Sequence, residues 1–308
     1  MIDFTVGAPV TGDLDVRWVH GSPPREPRSD PAVQVHWYDP HTAVLRQSKD
    51  VTFEAPFVFL LFGNKRALLL DTGATKDDAI ATQVDALVGE WLGRNPRPDY
   101  PLVVAHTHGH ADHRSGDAAF AGRPDTTLLA TDSDAVAAFF GFVNWPVDVV
   151  RFDLGGRTLD LTGIPGHQKA SIAVYDPWTG ILFTGDSMMP GRLYVENMAA
   201  FSDSLARLVA FSDQRHVTHV FGCHVEMTRT PGRDYYPGCR YQPDEVAPGM
   251  TPAQLRAVEA AVASVADRPG VHTFDDVIVY NGMGPGAQAR LAARGIAGAV
   301  RSRLCGSR

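Results

Sequence analysis

Residues 107–113 read Thr-His-Gly-His-Ala-Asp-His, one position beyond the apolar run Leu102-Val103-Val104-Ala105. Three of the chain's 12 histidines and an aspartate fall within residues 108–113. A short apolar run bounded by polar residues reads as a buried strand, so the cluster sits at a strand's carboxyl end. Gly109 lets the backbone turn tightly enough for two imidazoles to face one point, and neighbouring Asp112 and His113 leave the chain in other directions. One loop can therefore serve two adjacent cations, His108 and His110 the first, Asp112 and His113 the second. Imidazole and carboxylate suit Zn²⁺, with iron and manganese as alternatives. Structural zinc sites are closed, tetrahedral and cysteine-rich, and this donor set is none of these. Any fold available to the chain must bring further donors to this strand end.

Candidates for the missing imidazoles lie downstream, each after a strand-like run. His167 stands in Ile164-Pro165-Gly166-His167 and His224 in Phe221-Gly222-Cys223-His224. Between them Phe183-Thr184-Gly185-Asp186 ends a strand in an acid whose two oxygens could bridge two cations. His106 is expected to point away, into the sheet or behind the loop. His216 and His219 are expected to be structural, and Cys223 to be a small buried apolar side chain.

Around these motifs, strand-like runs cover residues 33–38, 57–62, 67–71, 101–105 and 127–130, with a hairpin turn at residues 63–66. Apolar Ile80, Val84, Leu87, Val88 and Trp91 recur at helical spacing, and further helices are expected over residues 200–213 and 251–266. Short strands fill residues 149–185. Strands grouped in two sets with helices between them predict an α+β chain in which two sheets pack with helices outside, an αββα sandwich. At 308 residues and 44% apolar content the chain suits one large domain, placed over residues 1–283. Residues 284–308 hold Arg290, Arg294, Arg301, Arg303 and Arg308 and no acid. They are expected to form a solvated terminal helix or frayed tail, with an oligomer contact as the alternative.

Charge narrows the partners. With 28 basic against 35 acidic residues the net charge is −7, which argues against nucleic acid and for a small-molecule substrate. Three cysteines without paired spacing fit a reducing cytoplasm. The amino terminus has acids where a secretory signal is basic, and no window approaches the roughly 18 uninterrupted apolar residues of a membrane span.

Taken in order, T-H-x-H-x-D-H, then P-G-H, then G-D, then a late G-x-H is similar to the metallo-β-lactamase superfamily, from about residue 57 to residue 224. Asp71-Thr72-Gly73 fits the same pattern. The resemblance implies that His108, His110 and His167 bind one metal, that Asp112, His113 and His224 bind a second, and that Asp186 bridges them. It implies that Asp71 steadies the histidine loop from behind; the alternative reading of Asp71 is a cap on its own turn. After His167 the family has threonine, glycine and serine, whereas Gln168-Lys169-Ala170-Ser171 keeps only the serine. Imidazoles rather than cysteine on the second metal resemble the glyoxalase II and lactonase side.

Residues 222–243 form a long loop that starts at a candidate ligand. With Tyr194, its Glu226, Tyr235 and Tyr236 are expected to line the substrate pocket. Residues 53–57 are expected to form an opposite wall. Two cations, expected to be Zn²⁺, that share a water lower its pKa and give a bridging hydroxide near neutral pH. The expected activity is hydrolysis of an ester, thioester, lactone or lactam carbonyl, with Asp112 as the catalytic side chain that orients the nucleophile or relays a proton. The alternatives are phosphodiester hydrolysis and a non-catalytic metal-binding protein on the same fold. No serine elbow, phosphate loop or dinucleotide fingerprint competes.

Overall fold

A computed structural model describes residues 1–305 apart from Val6 and Met283, and the side chains of residues 301–305 are not included. Arg308 of the expected basic tail lies outside the described residues, as do the side chains of Arg301 and Arg303.

The first sheet holds β1 (Val33–Asp39), β2 (Thr42–Gln47), β3 (Phe57–Phe62), β4 (Ala67–Leu70), β5 (Leu102–Ala105) and β6 (Thr126–Leu128), side by side in chain order. β1 to β4 are antiparallel; β4, β5 and β6 run parallel, with α1 (Ala79–Arg94) crossing between β4 and β5. The one-turn α2 (Ala111–Arg114) and then α3 (Ser133–Phe140) follow β5 and β6 respectively. The second sheet is built from β7 (Val149–Asp153), β8 (Thr158–Gly163), β9 (Ile172–Asp176), β10 (Ile181–Gly185), β12 (His219–Gly222) and β13 (Gly249–Met250). Between β10 and β12 come β11 (Arg192–Val195) and α4 (Met198–Asp213). The chain closes with α5 (Pro252–Ala263), β14 (Gly270–Thr273), β15 (Ile278–Asn281) and α6 (Pro285–Cys305).

Side-chain alternation explains the layering. On β3, Phe57, Phe59 and Leu61 enter the central core with Leu161, Val174, Ile181 and Phe183 of the second sheet. The intervening Val58, Leu60 and Phe62 pack outward against Val84, Leu87 and Trp91 of α1. On β10, Leu182 likewise faces outward, with Phe201 and Leu205 of α4 and Val258 of α5. Strands covered on both faces read as unbroken apolar runs because period-2 alternation sends successive residues into different cores. Two sheets with helices outside is the αββα arrangement that the strand grouping predicts.

Local signals set the starts of two helices. Thr251 and Gln254 form a reciprocal capping box with Pro252 in the first turn of α5, and Asn197 caps α4. The sequence reading misses a third sheet, in the order β11-β15-β14. β11 has only four residues, and its parallel partner β15 begins more than eighty positions later, so no local pattern announces the pairing. The basic tail is a helix with one face packed: Ala287 and Leu291 of α6 meet Met227, Ile278 and Tyr280. Among the described residues, no helix is long and apolar enough to cross a membrane.

Candidate metal centre

Strand ends from both sheets meet at one edge of the sandwich. Asp71 follows β4, the histidine loop follows β5, Asp186 follows β10, and His224 lies two residues after β12. His167 follows β8 on the Pro165-Gly166 turn. Gly166 has a φ of +136°, and a Cβ there would lie 2.4 Å from the Cα of Phe201 on α4, so the turn requires glycine. Gly109 plays a different part from the one expected. It lacks a left-handed φ, and its small size instead lets the loop pass close to Thr131 and Gln168, at 3.2 to 3.3 Å from a notional Cβ.

The structure brings all seven sequence-predicted donors together, as one group of His108, His110 and His167 and another of Asp112, His113, Asp186 and His224. In the first, His108 Nε2 lies 3.0 Å from His110 Nδ1, and His167 Nε2 lies 3.3 and 3.1 Å from the same two atoms. In the second, His113 Nε2 and His224 Nε2 are 3.3 Å apart, and Asp112 Oδ2 is 3.5 and 3.4 Å from them. Asp186 spans the two groups. Its Oδ2 is 4.0 and 3.8 Å from His108 Nε2 and His167 Nε2, and its Oδ1 is 3.5 Å from both His113 Nε2 and His224 Nε2.

Hydrogen bonds on the far side of each ring decide which nitrogen faces inward. His167 Nδ1–H donates to the Tyr194 carbonyl at 2.7 Å and His224 Nδ1–H to the Glu54 carbonyl at 2.9 Å. His113 Nδ1 is 2.9 Å from Asp71 Oδ2, a carboxylate at a fully buried residue. A carbonyl or carboxylate oxygen can only accept, so these rings carry their hydrogen on Nδ1 and turn Nε2 toward the cluster. Thr107 Oγ1 donates to Asp71 at 2.8 Å and lies 3.2 Å from His108 Nδ1. On His110 it is Nδ1 that faces inward, with Nε2 3.5 Å from Glu196.

Inward lone pairs at 3.0 to 3.3 Å repel one another unless positive charge lies between them. Asp186 Oδ1 is buried with no hydrogen-bond partner, an expensive state for a carboxylate oxygen. Both observations fit divalent cations held by these residues, and hard oxygen with imidazole nitrogen is a donor mix that zinc, iron or manganese accepts. The protein field points the same way. Burial works against charge on Asp186 and Asp112, but His224 and His113 hold both carboxyls well below the usual carboxylate range. Burial likewise opposes an imidazolium at His224, yet Asp186 and Asp112 push its pKa up to about 9. Protons and metal ions thus compete for one anionic point.

Asp71 is the anchor behind the loop, at a φ of +71°. It accepts from Thr107 N at 2.7 Å, from Thr107 Oγ1, from His113 and from the Cys223 thiol at 3.3 Å. It does not cap its own turn. Cys223 is buried in the central core as expected, and its thiol in addition donates to Asp71; burial pushes the thiol up, so it stays protonated. His106 points away, 2.8 Å from Asp117.

The Tyr194 hydroxyl accepts from Arg192 at 2.9 Å, and the carboxylate of Glu226 pairs with Arg192. Tyr235 and Tyr236 line a cavity of about 1200 Å³ bounded by residues 22–28, 228–244 and 294–299, and none of the seven donors borders it. Length and aromatic content mark such a loop as functional without saying which side of it meets ligand. In the segment expected as an opposite wall, Glu54 contributes its carbonyl to His224, and burial followed by the field of Asp112 and Glu226 raises its carboxyl to about 7. Sequence reasoning passed over Arg192 and the two carbonyls. A lone arginine amid the apolar Leu193, Tyr194 and Val195 is a signal of sorts; a carbonyl leaves none.

Comparison with known proteins agrees with this geometry. The family described as the metallo-β-lactamase superfamily matches residues 51–198, which hold every donor except His224. A hydroxyacylglutathione hydrolase of Chromohalobacter salexigens is 34% identical over 126 residues, 40% of this chain and 47% of that protein. One of Ruegeria pomeroyi is 31% identical over 173 residues, 54% of this chain and 61% of that protein. The chain thus spans about half the length of the curated relatives it matches. The solved metallo-β-lactamase from Pontibacter korlensis superposes with a TM-score of 0.50 at 17% identity, over 75% of this chain and 99% of that one, a likeness of fold alone. Ordered motifs, sheet architecture and family match converge: residues 51–198 are similar to the metallo-β-lactamase superfamily, and the curated relatives that the chain resembles are hydroxyacylglutathione hydrolases.

Proposed function

We propose that this protein is a binuclear metal-dependent hydrolase of a small carbonyl substrate, with a thioester first among ester, thioester, lactone and lactam. The observation that carries the reading is Asp186, whose two oxygens address two separate groups of inward-facing imidazoles. His108, His110 and His167 would hold one ion, Asp112, His113 and His224 the other, and Asp186 both; zinc is the preferred metal. When bound, such a pair polarises a carbonyl oxygen and lowers the pKa of water enough to supply hydroxide at neutral pH.

The residues do the positioning. The carbonyls of Tyr194 and Glu54 hold the rings of His167 and His224, and Asp71 holds that of His113, so these three donors keep their orientation during turnover. The Asp112 side chain is 24% exposed against 10% for Asp186, so it is the donor-set carboxylate best placed to orient the attacking water and pass a proton to solvent. The relatives named hydroxyacylglutathione hydrolase bring acyl–sulfur bonds to the front. The free thiols of Cys223 and Cys239 are in keeping with a reducing compartment.

Metal analysis of the purified protein, then a panel of ester, thioester, lactone, lactam and aryl phosphodiester substrates, tests the reading. Two ions per chain and chelator-sensitive thioester hydrolysis are expected. Turnover of phosphodiesters alone would overturn the substrate class, and full activity with fewer than two ions would overturn the binuclear mechanism.

A further inference from the structure

We infer that Arg192 is a positioning residue for the metal centre, one buried guanidinium that holds the His167 half and the His224 half in register. The inference rests on the metal-binding reading above and deepens it.

Arg192 opens β11 and is 5% exposed. Its Nε donates to the Tyr194 hydroxyl, and its Nη1 donates to Asp234 Oδ2 at 2.9 Å and to the Tyr235 carbonyl at 2.7 Å. Its Nη2 donates to Glu226 Oε1, while its backbone N–H donates to Glu226 Oε2 at 2.6 Å. Both oxygens of Glu226 are thereby engaged by one residue.

Each arm ends beside a different half of the centre. Tyr194 is the residue whose carbonyl takes the Nδ1 hydrogen of His167. Just beyond β11, the amides of Glu196 and Asn197 donate to the Gly166 carbonyl at 2.8 and 2.9 Å, so this strand is the platform on which the His167 turn rests. Glu226 stands two residues after His224, and the amides of Glu226 and Met227 donate to the Pro190 carbonyl at 2.9 and 3.1 Å. The fork therefore ties the strand that aims His167 to the segment that leaves His224.

Burying this ion gains the fold little. Its neighbours Leu193 and Val195 are buried, and an apolar side chain of similar volume with apolar partners serves a core about as well as a buried ion pair. What a planar fork adds is direction, since its donors address acceptors on two segments at fixed angles. It also keeps the Glu226 carboxylate, two residues from a ligand, from swinging toward the ions as an extra donor.

The test compares wild type, Arg192→Lys and Tyr194→Phe, each stripped of metal and titrated with Zn²⁺ against a competing dye and with Co²⁺ by visible absorption. Lysine keeps the charge and loses the fork. For Arg192→Lys we expect a metal-free melt close to wild type, Zn²⁺ affinity weaker by about tenfold or more, and an altered Co²⁺ spectrum. Tyr194→Phe removes a single arm and should weaken Zn²⁺ by about threefold to tenfold. If Arg192→Lys melts lower yet binds both ions with wild-type affinity and spectrum, Arg192 is merely structural and the inference is overturned. Should Arg192→Lys fail to fold, Tyr194→Phe decides: a shifted spectrum supports the inference, and an unchanged one overturns it. Wild-type protein that takes up no Co²⁺ overturns the metal reading itself, an outcome separate from any difference between variants.

Discussion

Asp71 has a left-handed backbone, which for a non-glycine residue stores of order 1–3 kcal/mol of strain that the surroundings must hold in place. Four donors do so, two from Thr107 and one each from His113 and Cys223. Asp71→Asn keeps the shape but presents an amide that must turn either its N–H₂ or its weaker oxygen toward His113. We expect Zn²⁺ affinity to fall about 10- to 100-fold with secondary structure intact, read by dye competition alongside circular dichroism. A second residue sets a pH limit on the fold. His41 Nδ1 accepts from the Trp91 indole at 3.0 Å, and burial, then the charge of Arg157, lowers its pKa from 6.5 to about 4. The unfolded chain therefore binds a proton that the native one refuses between these values. The contribution is intact above pH 6.5 and is lost as pH falls toward 4; discounted for partial exposure it is about 1–2 kcal/mol. Melting temperatures at pH 7 and pH 4.5 should drop less in His41→Gln than in wild type.

Among the elements, β11 and α6 are the least conspicuous in the sequence and the closest to the site's support. α6 lies over the long loop: a Cβ at Gly298 would fall 2.1 Å from the Tyr236 ring, and Arg294 pairs with Asp234 at 2.6 Å. That aspartate also receives Arg192. The Arg294 side chain is 36% exposed, so its pair is worth no more than about 1 kcal/mol. Arg294→Ala should lower the melting temperature by no more than about 1–2 °C in calorimetry. A drop above 8 °C would mean that the helix docks chiefly through this contact and not through Ala287 and Leu291.

Across the whole molecule the two sheets are joined by more than the central core. Arg157, almost fully buried, pairs with Asp176 of β9 at 2.6 Å and donates to the carbonyls of His41 and Phe62 and to the Thr42 hydroxyl. One side chain thus spans both layers at the edge near His41. Arg157→Ala leaves Asp176 buried without its counter-charge and should destabilise the fold by about 3–5 kcal/mol in urea titration. The mechanism predicts a smaller loss when Asp176 is replaced by asparagine in the same background, because the orphaned charge is then gone.

The sequence by itself announced the two-sheet sandwich and the seven candidate donors that the fold brings together. Period-2 alternation, as in Val58 and Phe59, and strand-end histidines such as His167 and His224 are written in local order, and local order is what a linear chain carries. It could not show that Gly109 serves close approach, that Cys223 donates to Asp71, that β11 pairs with β15, or that Tyr235 and Tyr236 face a cavity away from the donors. Only the tertiary structure decided which ring nitrogen His113, His167 and His224 turn inward, because the groups that fix them are the far-off carboxylate of Asp71 and the carbonyls of Tyr194 and Glu54. Every residue has a carbonyl, so which one meets an imidazole depends on packing between distant segments and leaves no mark in residue type.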